Sequence, residues 1–215
     1  SAAKAASSEK KQQARDEEKQ RKDTEKLTKA SLDYQLQIKM AALGEEKKYS
    51  TEALKVYTDY YNDLLAVYAQ DSAEYLNTLK AKEQYEADFN EKRKQMTEEA
   101  IEMAKATPGI DDHRSVVIYN EAWHKGVIGI VASRLTELYY RPAVVLTRSE
   151  GIATGSARSV SGFDVYSAVQ HCADLLENFG GHTYAAGLSL KVEHVEEFKQ
   201  RFEAYVAEHI LDEQT

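Results

Sequence analysis

One cysteine, two prolines and one tryptophan in 215 residues narrow what this chain can be. A single thiol, Cys172, excludes an internal disulfide and a four-cysteine zinc site. Pro108, Pro142 and every glycine except Gly44 lie beyond residue 107, so the first half has almost no turn chemistry. No apolar run is long enough to span a bilayer, and the start is charged rather than apolar. The expectation is a cytoplasmic protein with no membrane partner. A basic surplus is missing too: 28 Lys and Arg face 36 Asp and Glu, giving a formal charge of −8. That balance excludes coating of DNA by the whole surface but leaves room for a local basic groove.

What is present divides sharply. Residues 1–107 are a mixture of Ala, Lys, Glu, Gln and Tyr, which is helix-forming material. Residues 1–30 hold one leucine and no aromatic, and their charges alternate in sign, predicting a polar, frayed or solvent-exposed helix. From residue 31 to 106 a helical arm or connector is expected. Leu32, Leu36, Met40 and Leu43 approximate helical spacing before a stop at Gly44. Leu54, Tyr57, Tyr61, Leu64 and Tyr68 then recur in steps of three and four, as in a loose hairpin or a coiled-coil-like segment capable of self-association. Asp71 with Glu74 is placed to cap a last long helix over residues 73–106.

Residues 107–215 read as a compact α/β domain with a mixed sheet flanked by helices. Ser115–Tyr119 and Ala143–Thr147 are apolar runs of strand length around a helical pattern over Gly126–Tyr139, which predicts a crossover and a parallel pair. A strand is expected over Gly151–Ser159, a helix over Asp164–Phe179, a short strand over Ala185–Leu190 and a closing helix over Val195–Ile210.

Three glycine-studded polar segments interrupt these runs, and each suits an anionic ligand. His124 and Lys125 precede the helix beginning near Gly126, where a phosphate would meet unpaired backbone N–H groups and a cation; the competing reading is a helix cap packed under Trp123. Arg158 and Ser159 follow three small residues, so a guanidinium fork there can clamp phosphate oxygens, or alternatively pair with Asp164. Gly180-Gly181-His182 offers exposed amides in a double-glycine turn beside a titratable ring, and Ala185-Ala186-Gly187 leaves space against the strand. Metal chemistry has thinner support: Asp111, Asp112 and His113 are adjacent in a loop, and adjacent side chains rarely converge on one ion. His171 and Cys172, neighbours in a helix, diverge by about 100° and make a poor catalytic dyad. Cys172 is better suited to packing.

Taken in order, Trp123–Leu135, Arg141–Leu146, Gly155–Asp164, Asp174–His182 and Ala185–Gly187 resemble the C-terminal DHHA1 domain of the RecJ-type single-stranded-DNA-specific exonucleases. The resemblance covers roughly residues 97–210, with a weaker extension through Asn90–Lys94, and residues 1–70 carry none of the family's motifs. It implies a parent enzyme that degrades single-stranded DNA from the 5′ end by metal-dependent hydrolysis. The Mn2+ or Mg2+ ligands would belong to a DHH domain absent from this sequence, leaving this chain without catalytic residues or a cofactor of its own. By position, Arg158, Ser159, Gly180, Gly181 and His182 would line the grip on the DNA, with His124, Lys125 and Gly126 nearby. Two other readings stay open. One is the accessory domain of an oligonucleotide or cyclic-dinucleotide phosphodiesterase. The other is a helical assembly arm carried by a non-catalytic support domain.

Overall fold

The computed structural model describes residues 2–44 and 48–211, with side chains from residue 6 onward. Ser1 and residues 212–215, the outer ends of the expected frayed helix and of the expected α/β domain, lie outside the described residues. Two compact units emerge, Ser1–Gly44 with Glu52–Ala87, and Glu45–Thr51 with Asp88–Thr215.

The first unit is helical. Helix α1 runs unbroken over Ala2–Leu43, α2 over Thr51–Val67, and the beginning of α3 (Ala73–Lys105) completes it. With little apolar surface to bury, α1 relies on propensity and on pairs such as Arg21–Glu25 and Lys29–Asp33, each spaced i,i+4. Gly44 ends it with a φ of 76°, its N–H returning to Met40 O. Tyrosines fill the helix contacts: Tyr57 lies 4.2 Å from Tyr85 between ring centroids, and Tyr60 donates to Asp33. The expected hairpin is thus a three-helix assembly. Its last helix is capped by the Ser72 hydroxyl, which accepts from Tyr75 N, rather than by Asp71.

The second unit is a five-stranded mixed sheet between two helical layers. Strands β1 (Val116–Tyr119), β2 (Ala143–Ser149), β3 (Ile152–Arg158), β4 (Leu176–His182) and β5 (Ala185–Leu190) are ordered β1-β2-β3-β5-β4. The β1–β2 pair is parallel, as the strand–helix–strand pattern predicted, and the other pairs are antiparallel. On one face, Ala143 and Val145 of β2 meet Val127, Val131 and Leu135 of α4 (Lys125–Tyr139) and Met96, Ala100 and Ala104 of α3. On the other, Val144, Leu146, Leu188 and Leu190 pack on α5 (Val165–His171) and α6 (Val195–His209), where Phe198 and Phe202 are fully buried. Alternation along the strands sends successive side chains to these two cores.

One element departs from expectation. Asp164–Phe179 is not a continuous helix: α5 stops at His171, a 3-10 turn covers Ala173–Leu175, and the chain then becomes the edge strand β4. Gly180, Gly181 and His182 therefore belong to a strand paired with β5 rather than to a turn.

Candidate nucleic-acid interface

The face of the sheet that carries α4 is only partly covered by it. Helix α4 lies over β2 and β3, and the registers of β3, β5 and β4 align three cross-strand rows beside it: Thr154, Ser189 and Asn178; then Ser156, Gly187 and Gly180; then Arg158, Ala185 and His182. Residues directly opposite on antiparallel strands share a face, so the nine positions form one strip. With strands about 4.8 Å apart and rows two residues apart, it measures roughly 10 by 13 Å. Asn178, Gly180, Gly187 and His182 are exposed and the other five are half-buried. No large apolar side chain stands on this strip, in contrast to the aliphatic underside of the same strands.

Arg158 forms one end. Its Nη1 donates to Ser156 Oγ at 2.7 Å and to Ala157 O at 2.8 Å, which folds the side chain along its own strand. A Cβ at Gly129 of α4 would come within 2.8 Å of Nη2, so the absence of a side chain there makes the guanidinium's seat. Burial alone pulls its pKa below the usual guanidinium value. No carboxylate among the described residues pairs with it. Asp164, the alternative partner, instead caps α5, accepting from Tyr166 N, Ser167 N and the Ser167 hydroxyl. A half-buried guanidinium held only by neutral acceptors keeps most of its charge available to an anion.

His182 faces Arg158 across Ala185 in the last row. Its Nδ1 accepts from Tyr184 N at 3.3 Å. Ser159 closes the corner: its N–H donates to Tyr184 O and its hydroxyl to Phe163 O. Ser159 thus holds the β4–β5 hairpin beside Arg158, with its own hydroxyl proton already committed. Val165 N adds a further tie to Thr183 O.

The two glycines of β4 differ. Gly181 has a φ of 152°, and a Cβ there would sit 2.3 Å from Ala185 O and 2.6 Å from Ala186 Cα, so backbone packing requires glycine. Gly180 has nothing within 4 Å of a notional Cβ, and neither does its partner Gly187. That pair leaves the middle row bare. A shallow depression of about 370 Å³ runs from that glycine pair over the row of Thr154, Ser189 and Asn178, with Lys125 and Glu150 also in its lining.

The segment before α4 divides its roles. Lys125 is exposed at the rim of the depression. His124 is the N-cap without a side-chain cap bond, and its ring packs edge-on against Tyr49, with centroids 4.7 Å apart. A Cβ on Gly126 would meet Ser50 Cβ at 3.0 Å, so this chain's own residues take the close approach expected of a phosphate. Trp123 is buried, its indole N–H on Glu99 and its carbonyl accepting from the Thr147 hydroxyl. The structure therefore gathers Arg158, Gly180 and His182 on one strip with Lys125 at its border, while His124 and Gly126 turn to packing. Sequence reasoning missed Thr154, Asn178 and Ser189; the signal for two of them was alternation along β3 and β5 of small or polar residues with buried ones. Among the described residues no three His, Cys, Asp or Glu side chains stand where they could hold a metal ion, and no helix is long and apolar enough to cross a membrane.

Residues 113–208 match the DHHA1 domain. The single-stranded-DNA-specific exonuclease RecJ of Bacillus subtilis (strain 168) is 45% identical over 121 residues, which cover 55% of this chain and 15% of that protein. Among solved structures, exonuclease RecJ bound to manganese superposes with a TM-score of 0.57 at 27% identity, over 73% of this chain and 37% of the other. RecJ from Thermus thermophilus in complex with Mg2+ gives a TM-score of 0.58 at 25% identity, over 77% and 25%. The chain spans only a small part of the length of the RecJ exonucleases it aligns to.

Proposed function

We propose, from the alignment of residues 113–208 to the DHHA1 domain and to RecJ exonucleases, that this chain carries the substrate-gripping domain of a cytoplasmic single-stranded-DNA-specific 5′–3′ exonuclease. In this reading a DHH domain outside the present sequence supplies Mn2+ or Mg2+ and the hydrolytic step, while the strip on β3, β5 and β4 holds the strand. The ligands of the ion then belong to that DHH domain, and no step of hydrolysis is assigned to residues of this chain.

One observation carries the reading: Arg158 is half-buried, pre-positioned by Ser156 Oγ and Ala157 O, and lacks a carboxylate partner among the described residues. A guanidinium so placed is suited to a phosphate arriving from solvent. The Gly180–Gly187 pair keeps side chains out of the way, so a sugar-phosphate backbone can lie close to the sheet. Lys125 and His182 complete the grip, Ser159 and Gly181 hold the hairpin that carries it, and His124 and Gly126 support its wall.

The test is binding of a short single-stranded oligonucleotide by the 215-residue chain across a salt series. Each phosphate contact on a single strand contributes about 0.7 to the slope of log K against log salt. R158A is expected to reduce that slope by about 0.7 and to weaken binding at low salt roughly tenfold. An unchanged slope and affinity would refute the phosphate role of Arg158.

A further inference from the structure

The hairpin joining β4 to β5 puts an aromatic ring where the strip ends. Tyr184 is 61% exposed, which is unusual for a tyrosine whose backbone is tied down on both sides: its N–H donates to His182 Nδ1 and its carbonyl accepts from Ser159 N. The rings of Tyr184 and His182 stand edge to face, 6.4 Å apart between centroids and 66° between planes. His182 ends the row that begins with Arg158, about 10 Å away across two strand spacings, and Tyr184 follows it in the hairpin, with its carbonyl on the N–H of Ser159 next to Arg158. Among the described residues Tyr184 is not part of the apolar core to which its neighbours Ala186, Phe163 and Val165 belong.

We propose that Tyr184, braced by His182, is a stacking platform for a nucleobase of the strand whose phosphate Arg158 holds. This inference rests on the strip being a nucleic-acid interface, and it adds what the ionic contact lacks. A phosphate grip alone binds any polyanion, whereas a flat π-face next to it takes only a strand with an unstacked base to offer. Stacking of this kind discriminates against duplex and is tolerant of sequence, because every base has a π-face. The edge-to-face imidazole fixes the tyrosine ring, so little side-chain freedom is lost on binding.

The experiment compares the full chain, Y184A, Y184W and R158A with two oligomers of equal phosphate number, oligo-dT and one that is abasic throughout. Y184A is expected to weaken oligo-dT binding about five- to tenfold with its salt slope unchanged, the low end of a base–aromatic contact. Y184W should restore the affinity. On the abasic oligomer, wild type and Y184A should bind equally, because no base remains to stack. If Y184A binds oligo-dT as wild type does while R158A is impaired, the platform is wrong and the phosphate grip stands. If Y184A weakens both oligomers alike, or changes the salt slope, the residue acts through the ionic contact or through the hairpin and the platform is again overturned. Failure of wild type to bind either oligomer, or indifference to both substitutions, removes the platform together with the reading beneath it.

Discussion

Gly129→Ala separates the seat of Arg158 from its charge. The residue lies inside α4, where alanine is favoured over glycine by about 1 kcal/mol on intrinsic helix propensity. The new methyl would stand 2.8 Å from Arg158 Nη2 and 3.2 Å from Ser156 Oγ, and ordinary contact begins near 3.4 Å, so the guanidinium must retreat by about 0.6 Å. Because the obstructed atom is the end of a flexible side chain, the structure yields there rather than in the helix. The retreat weakens one of two hydrogen bonds from Nη1, each contributing about 1 kcal/mol net. Gain and loss nearly cancel, so thermal unfolding should move by no more than about 4 °C. Binding has no such compensation. A misplaced fork exchanges a two-point grip on phosphate for a one-point contact, a loss of about 1 kcal/mol or roughly fivefold in Kd. Differential scanning calorimetry and anisotropy titration with a labelled oligonucleotide read the two quantities separately. An unchanged Kd at unchanged stability would show that the position of the guanidinium does not matter. Destabilisation beyond about 3 kcal/mol would show instead that Arg158 is locked by the fold and has no freedom to offer a ligand.

Gly181→Ala should be severe, because the Cβ collides with backbone at 2.3 Å and φ is 152°; a loss of about 3 kcal/mol or more is expected in chemical denaturation, and a loss under about 1 kcal/mol would contradict the hairpin geometry. Burial pushes the Cys172 thiol up to about 11, so below that pH it stays neutral and covered in the folded chain. Thiol labelling at about pH 8 should then track global unfolding, rising with denaturant in step with circular dichroism; fast labelling of the native chain would refute the placement.

How much of this was legible beforehand depended on the range over which each feature is decided. Helix α4, the β1–β2 pair and α6 are written in local apolar patterns, and each appears within a residue or two of its expected bounds. Strand β4 was not. Val169, Cys172, Leu175 and Phe179 continue the spacing of α5, and only pairing with β5, which comes later in the chain, converts that segment into an edge strand. The bulge between Leu176 and Asn178 and the two glycines weaken what alternation it has. The candidate site was half visible for the same reason. Arg158 and His182 stand out by residue type, whereas Thr154, Asn178 and Ser189 join them only through register. Gly126 carried a misleading signal: the neighbour that demands a glycine is Ser50, far away in sequence. Arg158 and Asp164 look like a pair on paper, but Asp164 has a stronger local use as the cap of α5.

The four glycines of the strands sort into two kinds. Gly155 and Gly181 are glycines because another atom already occupies the place of their Cβ, Leu146 Cδ2 at 2.6 Å in the first case. Such positions serve stability, and any side chain there is a cost. Gly180 and Gly187 have free space above them and no positive φ, yet they are unfavourable in strands, where glycine loses more conformational freedom than any other residue. Packing gives no reason for them. Gly187→Val should therefore leave the fold intact or stabilise it by up to about 1 kcal/mol, since a β-branched residue suits the central position between β3 and β4. The same valine would fill the middle row between Ser156 and Gly180 and hold a strand away from the sheet. A variant more stable than wild type, with several-fold weaker binding of single-stranded DNA and an intact R158A effect on what binding remains, is the expected outcome. Should Gly187→Val unfold the domain, the open space is illusory; should it bind normally, the bare row is not where the strand lies.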